Sequence, residues 1–578
     1  MARRGARPAL RIFALLGLMS FSLLAVAGRL VHLQVVKAEA FEDLGSRQRV
    51  RRVELPAKRG SILDRNGVPL AMSIDAAAIY ANPQFVTDPT ATSDAIGPLL
   101  GIEPALIRER LLKPAPFVYL ARKVDIEAAE RVLALKLPGI GSLDEIKRVY
   151  PAGTLGAQVV GFVGTDNVGL GGLVSGWEQL LAGVPGEEVL EQDPRGRPIA
   201  GGQSKIRLPE RGQDLVLTID RDIQFAAEQA LSRALKETGA RHGTAIVMEP
   251  HTGDVLAMAN WPPLDPSAFS GAKPDSMRNR AVQDAYEPGS VNKVVTAAAA
   301  LEAKLADPAE KLRIPDSYRI ADKTFRDFQS HPVWSISYAE ALARSSNVGT
   351  IQMAQRVGKQ RLYSMLRRFG LGAKTGIGFP AESSGILLDV DDWYSTSIGT
   401  IPIGQGIAVT PLQVAQVYAT IANDGVLAPP RLVRATVDRE GTAIERAARE
   451  HRRVISPATA AQIRAMLVGV VEEGTGRTAR IPGYVIGGKT GTARKPLADE
   501  RGYSKEVVTT FVGMVPADSP RFLVTVVLDA PDVHTSAATA APVFAEIARF
   551  VIARLKVPPT LAPPSRASFA SLAATRTR

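Results

Sequence analysis

The 578-residue chain has no cysteine. Disulfides, thiolate nucleophiles and cysteine-zinc sites are therefore excluded together. Histidine is scarce too: the six are His32, His242, His251, His331, His451 and His534, and none has a partner at helical ligand spacing. No metal site and no cofactor are expected. Aromatic residues make up only 6%, and no basic stripe is interleaved with them, so the formal charge of +12 does not imply a nucleic-acid partner. It leaves an anionic membrane or wall, or an evenly solvated Arg-rich surface. What is present describes a folded protein, with 46% hydrophobic and 22% charged residues and with 50 Gly and 40 Pro to make turns. The length allows two or three domains.

The one long apolar run is at the start. "MARRGARPALR" carries Arg3, Arg4, Arg7 and Arg11 and no acid, and Ile12 to Gly28 follows without a charge. Apolar residues continue past Arg29 in "LVHLQVV", so a helix with a snorkelling arginine can complete a membrane span. The spacing predicts a cytoplasmic N-terminus over 1–11, an anchor over 12–33, and the bulk of the chain outside. Ala25-Val26-Ala27 also fits a signal-peptide cleavage site, and that alternative stays open.

Beyond the anchor, "SILDRNGVPLAMS" has Asn66-Gly67 between apolar runs, a hairpin signal. Short, irregular strand and helix patterns over 34–212 predict one extended, non-catalytic α+β domain. From residue 213 the pattern sharpens. A strand and an amphipathic helix in "QDLVLTIDRDIQFAAEQALSRALKETGA" precede a hairpin in "TAIVMEPHTGDVLAMA". A second hairpin, "VVTTFVGMVPADSPRFLVTVVLDAP", and an apolar-faced helix close the region. An α/β domain over 213–556, with an antiparallel sheet assembled from both ends, is expected. The Pro-, Ala- and Ser-rich stretch over 557–578 should be a disordered tail.

Three short patterns inside that domain bear on chemistry. In "YEPGSVNKVVTAAAALEAKLA", Pro288-Gly289 breaks the chain just before a strongly apolar helix, which puts Ser290 at a helix N-terminus with Lys293 three residues on. A desolvated lysine amine can take the proton of a serine nucleophile, and a helix N-terminus favours the anion that forms. "ISYAEALARSSNVGT" is a helical run broken at Ser345-Ser346-Asn347; alone it reads as a helix C-cap with Asn in a left-handed turn. Lys-Thr-Gly occurs twice. The copy at Lys374-Thr375-Gly376 is crowded by Gly372, Gly378 and Pro380 and should be a loop, whereas Lys489-Thr490-Gly491, followed by Thr492, should be a strand.

Taken in order, Ser290-x-x-Lys293, Ser345-x-Asn347 and Lys489-Thr490-Gly491 resemble the motif set of penicillin-interacting serine enzymes. With "RGSILDRNGVPLA" and a single anchor, the chain resembles a class B penicillin-binding protein of the division-specific, septal kind. The resemblance implies a serine D,D-peptidase/β-lactamase-like fold carried on a non-catalytic pedestal over 34–212, and a peptidoglycan D,D-transpeptidase. It implies that Ser290 is the nucleophile, Lys293 its base, Ser345 a proton relay and Asn347 a ligand of the peptide amide. Lys489, Thr490 and Thr492 around Gly491 would bind the substrate carboxylate, with the backbone N–H groups of Ser290 and Thr492 as oxyanion hole. Implied partners are D-Ala-D-Ala stem peptides, β-lactams, a polytopic glycan polymerase, other division proteins and the cytoplasmic membrane, with the catalytic domain extracytoplasmic. Lateral-wall elongation and a D,D-carboxypeptidase or β-lactamase-type hydrolase are the rival functions, and a silent scaffold is disfavoured by the complete motif set. Ser346 stands where relatives outside the division group often have Asp.

Overall fold

The computed structural model describes residues 8–39, 49–191, 199, 204–447, 449–497 and 502–560. The expected tail lies outside these from residue 561, but its first residues are ordered, with Val557 buried in the core and Thr560 N donating to Gly483 O at 3.0 Å, and most of the expected cytoplasmic segment lies outside through residue 7. Two compact units are formed, one by residues up to Ala57 with Val184–Glu210, the other by Lys58–Gly183 with the chain from Arg211 onward.

The first unit contains the helix Pro8–Val31, which runs on as a π-helix over His32–Val36. The span Ala9–Val36 is long and apolar enough to cross a membrane, and none of it is buried in protein. Leu24, for example, is 72% exposed, a cost in water that a lipid tail removes. The same unit holds a three-stranded antiparallel sheet, with Gly186–Glu191 between Val50–Leu55 and Ser204–Arg207.

In the second unit the elements that place the site are α1 (Arg221–Thr238), β1 (His242–Met248), β2 (Val255–Trp261), α2 (Lys293–Glu302), α3 (Asn347–Val357), β3 (Gly487–Pro496), β4 (Tyr503–Val515), β5 (Phe522–Asp529) and α4 (Ala540–Arg554). The five strands form one antiparallel sheet in the order β2-β1-β5-β4-β3. Both expected hairpins are there, and β1 and β5 join them across the middle of the sheet. Helices α1 and α4 cover one face with Leu231, Leu235, Phe544 and Val551. On the other face lies α2, in which Val294, Val295 and Ala297 to Ala300 are all buried. A helix apolar all round is stable only inside a core.

Residues 58–183 are tied into the same unit by backbone pairing. Ile62–Leu63 pairs in parallel with Asp214–Leu217, which pairs on its other edge with Val433–Val437. The Asn66-Gly67 turn forms as expected: Gly67 has φ +82°, and Asp64 accepts from the backbone of Asn66 and Val68 at 2.8 Å each. Asp64 also accepts from Arg221 N at 3.2 Å, so this turn caps α1. Arg59, 3% exposed, makes a two-pronged pair with Glu178 at 2.8 and 2.6 Å.

A further tie is the α1 residue Glu228, which accepts from Gly156 N at 2.8 Å and Gln224 Nε2 at 2.7 Å. Burial pushes its carboxyl up to about 7 despite those donors. A carboxyl whose pKa is raised in the fold costs stability as pH climbs from the ordinary value through 7 and keeps costing it above. Glu228→Gln should therefore stabilise the protein at pH 8, on the order of 2 kcal/mol, and change little at pH 4.5. Thermal unfolding followed by circular dichroism at both pH values checks this.

Candidate active site

Ser290 lies in a 3-10 turn, Gly289–Asn292, that feeds directly into α2. The turn is held from three sides: Tyr418 donates to Val291 O at 2.9 Å, Asn292 Nδ2 donates to Ile401 O at 2.8 Å, and Gly289 N donates to Gly404 O at 3.1 Å. Gly289 has φ +57°, and a Cβ at Gly404 would fall 2.1 Å from Gly289 O. Only glycine fits that crossing. Strand β3 passes as close on another side, where a Cβ on Gly491 would stand 2.9 Å from Val291 Cγ1 and 3.0 Å from Pro288 O. The glycine of Lys489-Thr490-Gly491 is thus what lets the strand lie against the serine turn.

The second motif is a junction of two helices. Tyr338–Ala343 ends in a Schellman arrangement, with Ser346 N donating to Ala341 O and Ser345 N to Leu342 O. The residue in the left-handed region is Ser345, at φ +59°, and not Asn347 as a C-cap reading of the sequence expects. Ser346 is the N-cap of α3, accepting from Gly349 N at 2.9 Å, and Asn347 is the first residue of that helix. A serine pays roughly 1–2 kcal/mol for a left-handed backbone. Here the conformation turns its hydroxyl toward two lysines.

Lys293 and Lys489 are both fully buried. The Lys293 amine donates to Ser345 O and to Asn347 Oδ1 at 2.8 Å, and stands 3.3 Å from Ser345 Oγ. Lys489 donates to the same Oγ at 2.9 Å and to Thr490 O at 3.1 Å. Burial pushes Lys293 down to about 7, with Asp327 pulling the other way. Lys489 is held well below the ordinary lysine value by burial and by the charge of Lys293. A neutral Lys293 has two N–H donors, and the Ser345 carbonyl and the Asn347 amide oxygen can only accept, so its lone pair is free to take a proton. No hydrogen bond links Ser290 Oγ to that amine among the described residues; such bonds commonly tighten only when substrate is bound.

The remaining sequence candidates fall beside these. Thr490, buried, shares a 2.6 Å hydrogen bond with Thr475, and Thr492, half-buried, presents its carbonyl to the Ser290 turn. Lys374 is exposed on a loop, and Thr375 and Gly376 are spent on Glu382. Ser-x-x-Lys also occurs at Ser270–Lys273, where both side chains are exposed on a surface turn. Residues without any sequence signal are Asp327 and His331, which lie under the second motif. No group of His, Cys, Asp or Glu able to hold a metal occurs among the described residues.

The penicillin binding protein transpeptidase domain matches residues 243–549, and the penicillin-binding protein dimerisation domain matches 54–217. The chain belongs to the penicillin-binding protein transpeptidase family. Penicillin-binding protein PbpB of Mycolicibacterium smegmatis is 38% identical, over 93% of this chain and 89% of that protein. Peptidoglycan D,D-transpeptidase FtsI of Escherichia coli is 33% identical over 95% and 92%. The structure of penicillin binding protein 3 from Mycobacterium tuberculosis complexed with aztreonam superposes with a TM-score of 0.70 at 35% identity, covering 89% of this chain and 99% of that one. In family terms the three motifs meet around Ser345 Oγ.

Lys489→Ala should slow acylation by penicillin on the order of 100-fold, as expected for an oriented charge at a reacting centre, and Lys374→Ala should leave it unchanged. For the intact protein the acylation rate should rise with pH to half its maximum near 7, as Lys293 loses its proton. Stopped-flow acylation between pH 5 and 9 measures both.

Proposed function

We propose that this chain is a membrane-anchored D,D-transpeptidase that cross-links peptidoglycan stem peptides through an acyl-enzyme on Ser290, in septum synthesis. The observation that carries this reading is the position of two buried amines on either side of Ser345 Oγ, at 2.9 and 3.3 Å, beside the Ser290 turn. Two ammonium groups so close repel. The carboxylate of a terminal D-Ala at Lys489, Thr490 and Thr492 would supply the missing negative charge, draw the proton to Lys489 and leave Lys293 neutral.

Ser290 Oγ then attacks the carbonyl of the penultimate D-Ala and its proton passes to Lys293. The tetrahedral oxyanion is met by the N–H groups of Ser290 and Thr492. The C–N bond breaks, and the departing D-Ala nitrogen receives a proton by way of Ser345, while Asn347 holds the peptide amide. An amine of a second stem peptide adds to the ester and loses a proton. The C–O bond breaks, and Ser290 is regenerated as the new amide leaves. A β-lactam enters the first half of this sequence, but its ring-opened nitrogen stays tethered and the ester persists.

The helix Pro8–Val31, with arginines before it, suits an inner-membrane anchor that places the catalytic domain outside. We take 34–212 as pedestal and 213–556 as catalytic domain. The septal role rests on Ser346 and the "EPGSVNK" context, and a polytopic glycan polymerase and other division proteins are the partners it implies.

Mass spectrometry of the penicillin-treated protein should find one drug adduct, on Ser290, and Ser290→Ala should lose it while keeping its circular dichroism. An adduct on another serine overturns the assignment. A fluorescent fusion should gather at midcell; a lateral-wall pattern would assign the chain to elongation instead.

A further inference from the structure

Asp327 lies just past a short hairpin, Ser317–Ile320 with Lys323–Arg326. Its side chain is 5% exposed. Its carboxylate takes three donors, Ser346 Oγ at 2.7 Å, Asn347 N and Val348 N at 3.1 Å, and lies 3.0 Å from His331 Nε2. Ser346 is the N-cap of α3, and Asn347 and Val348 open its first turn, where backbone N–H groups lack helical partners and an anion is favoured. The neighbouring Arg326 carbonyl accepts from Asn347 Nδ2 at 2.8 Å. With Nδ2 turned there, Oδ1 is the amide atom that faces Lys293.

The other side of Asp327 is closed by His331, itself fixed on every edge. Its Nδ1 faces the Pro332 carbonyl at 2.7 Å, its backbone N donates to Asp316 Oδ1 at 3.1 Å, and its ring stacks on Trp334 at 3.5 Å. Arg344 sits over the same indole at 5.0 Å. The imidazole is therefore a rigid clamp. Neither Asp327 nor His331 hydrogen-bonds Ser290, Lys293 or Lys489.

We propose that Asp327, clamped by His331, is the positioning residue of the second motif: it sets the first turn of α3 so that the oxygens of Ser345 and Asn347 meet the Lys293 amine. The proposal rests on the reading of Ser290 and Lys293 as nucleophile and base. The charged groups facing Lys293 are Lys489 from β3 and Asp327 from this loop, with His331 behind Asp327.

The test is acylation of the full-length protein by a fluorescent penicillin, with Kd and the first-order step k2 resolved from pH 5 to 9. Asp327→Asn should lower k2 by about 10–100-fold, the scale of a sub-ångström to ångström misplacement, with little change in Kd. Removing the carboxylate also removes the pull that raises Lys293, so the acid limb of k2 should move to lower pH. Asp327→Glu should restore the limb. His331→Gln, which keeps the carboxylate and frees it from its clamp, should lower k2 as well. A merely structural role would lower the melting temperature and the active fraction but leave k2 and its pH profile as in the wild type, and that result overturns the proposal. Where Asp327→Asn does not fold, an unchanged k2 in His331→Gln overturns it equally. Failure of the wild-type protein to acylate at Ser290 would sink the underlying functional reading instead, so the two failures are distinguishable.

Discussion

Two lysine amines share one buried pocket, and no carboxylate lies within ion-pair distance of either among the described residues. That arrangement is costly, because a buried charge without a partner loses its hydration and gains little in return. It persists because the elements around it are over-determined. Lys293 begins a helix whose apolar residues are all in the core, and Lys489 stands on an edge strand whose register with its neighbour is continuous from Gly487 to Arg494. The cost falls most heavily when both amines are charged, so the pair prefers to hold fewer protons than it has bases. A site of this kind is ready to accept an anion and a proton together.

Close backbone approach is the second requirement. Gly289 within the serine turn, and Gly404 and Gly491 on two other segments, let those segments come within contact of the turn. None of these glycines has a direct chemical part. Each removes a side chain that would hold the Ser290 turn away from its neighbours, and so the spacing of Ser290 from Lys489, Thr490 and Thr492 is set by main-chain atoms, which cannot adjust by changing rotamer.

Much of this is legible in the sequence, for identifiable reasons. The apolar run at the N-terminus, the two terminal hairpins and the helix after Ser290 carry strong periodicity, and the three motifs are separated from chance matches by their order and by the breakers around Lys374. What the sequence hides depends on tertiary packing. Nothing in "ARSSNVGT" tells that Ser345 takes the left-handed conformation, because the residue type with that tendency is Asn347, two positions on. Asp327 and His331 sit in a loop of mixed polar residues, and their importance comes from a helix end that reaches them only in the fold. Ser270–Lys273 has the spacing of a catalytic pair, and exposure alone disqualifies it. The pairing of Ile62–Leu63 with Asp214–Leu217 is likewise invisible, since a two-residue strand has no period.

The order of strands in the central sheet bears on how the molecule is made. β1 pairs with β5, which follows it in the chain only after β2, α2, α3, β3 and β4, and the short strand at Ile62–Leu63 waits for Asp214–Leu217, which in turn pairs with Val433–Val437. The sheet therefore cannot close until residues far along the chain have joined it, and until then β1 presents one unpaired, apolar edge. Pairing of this range is slow to form and leaves that edge open to association in the meantime, which a protein with sequentially paired strands avoids.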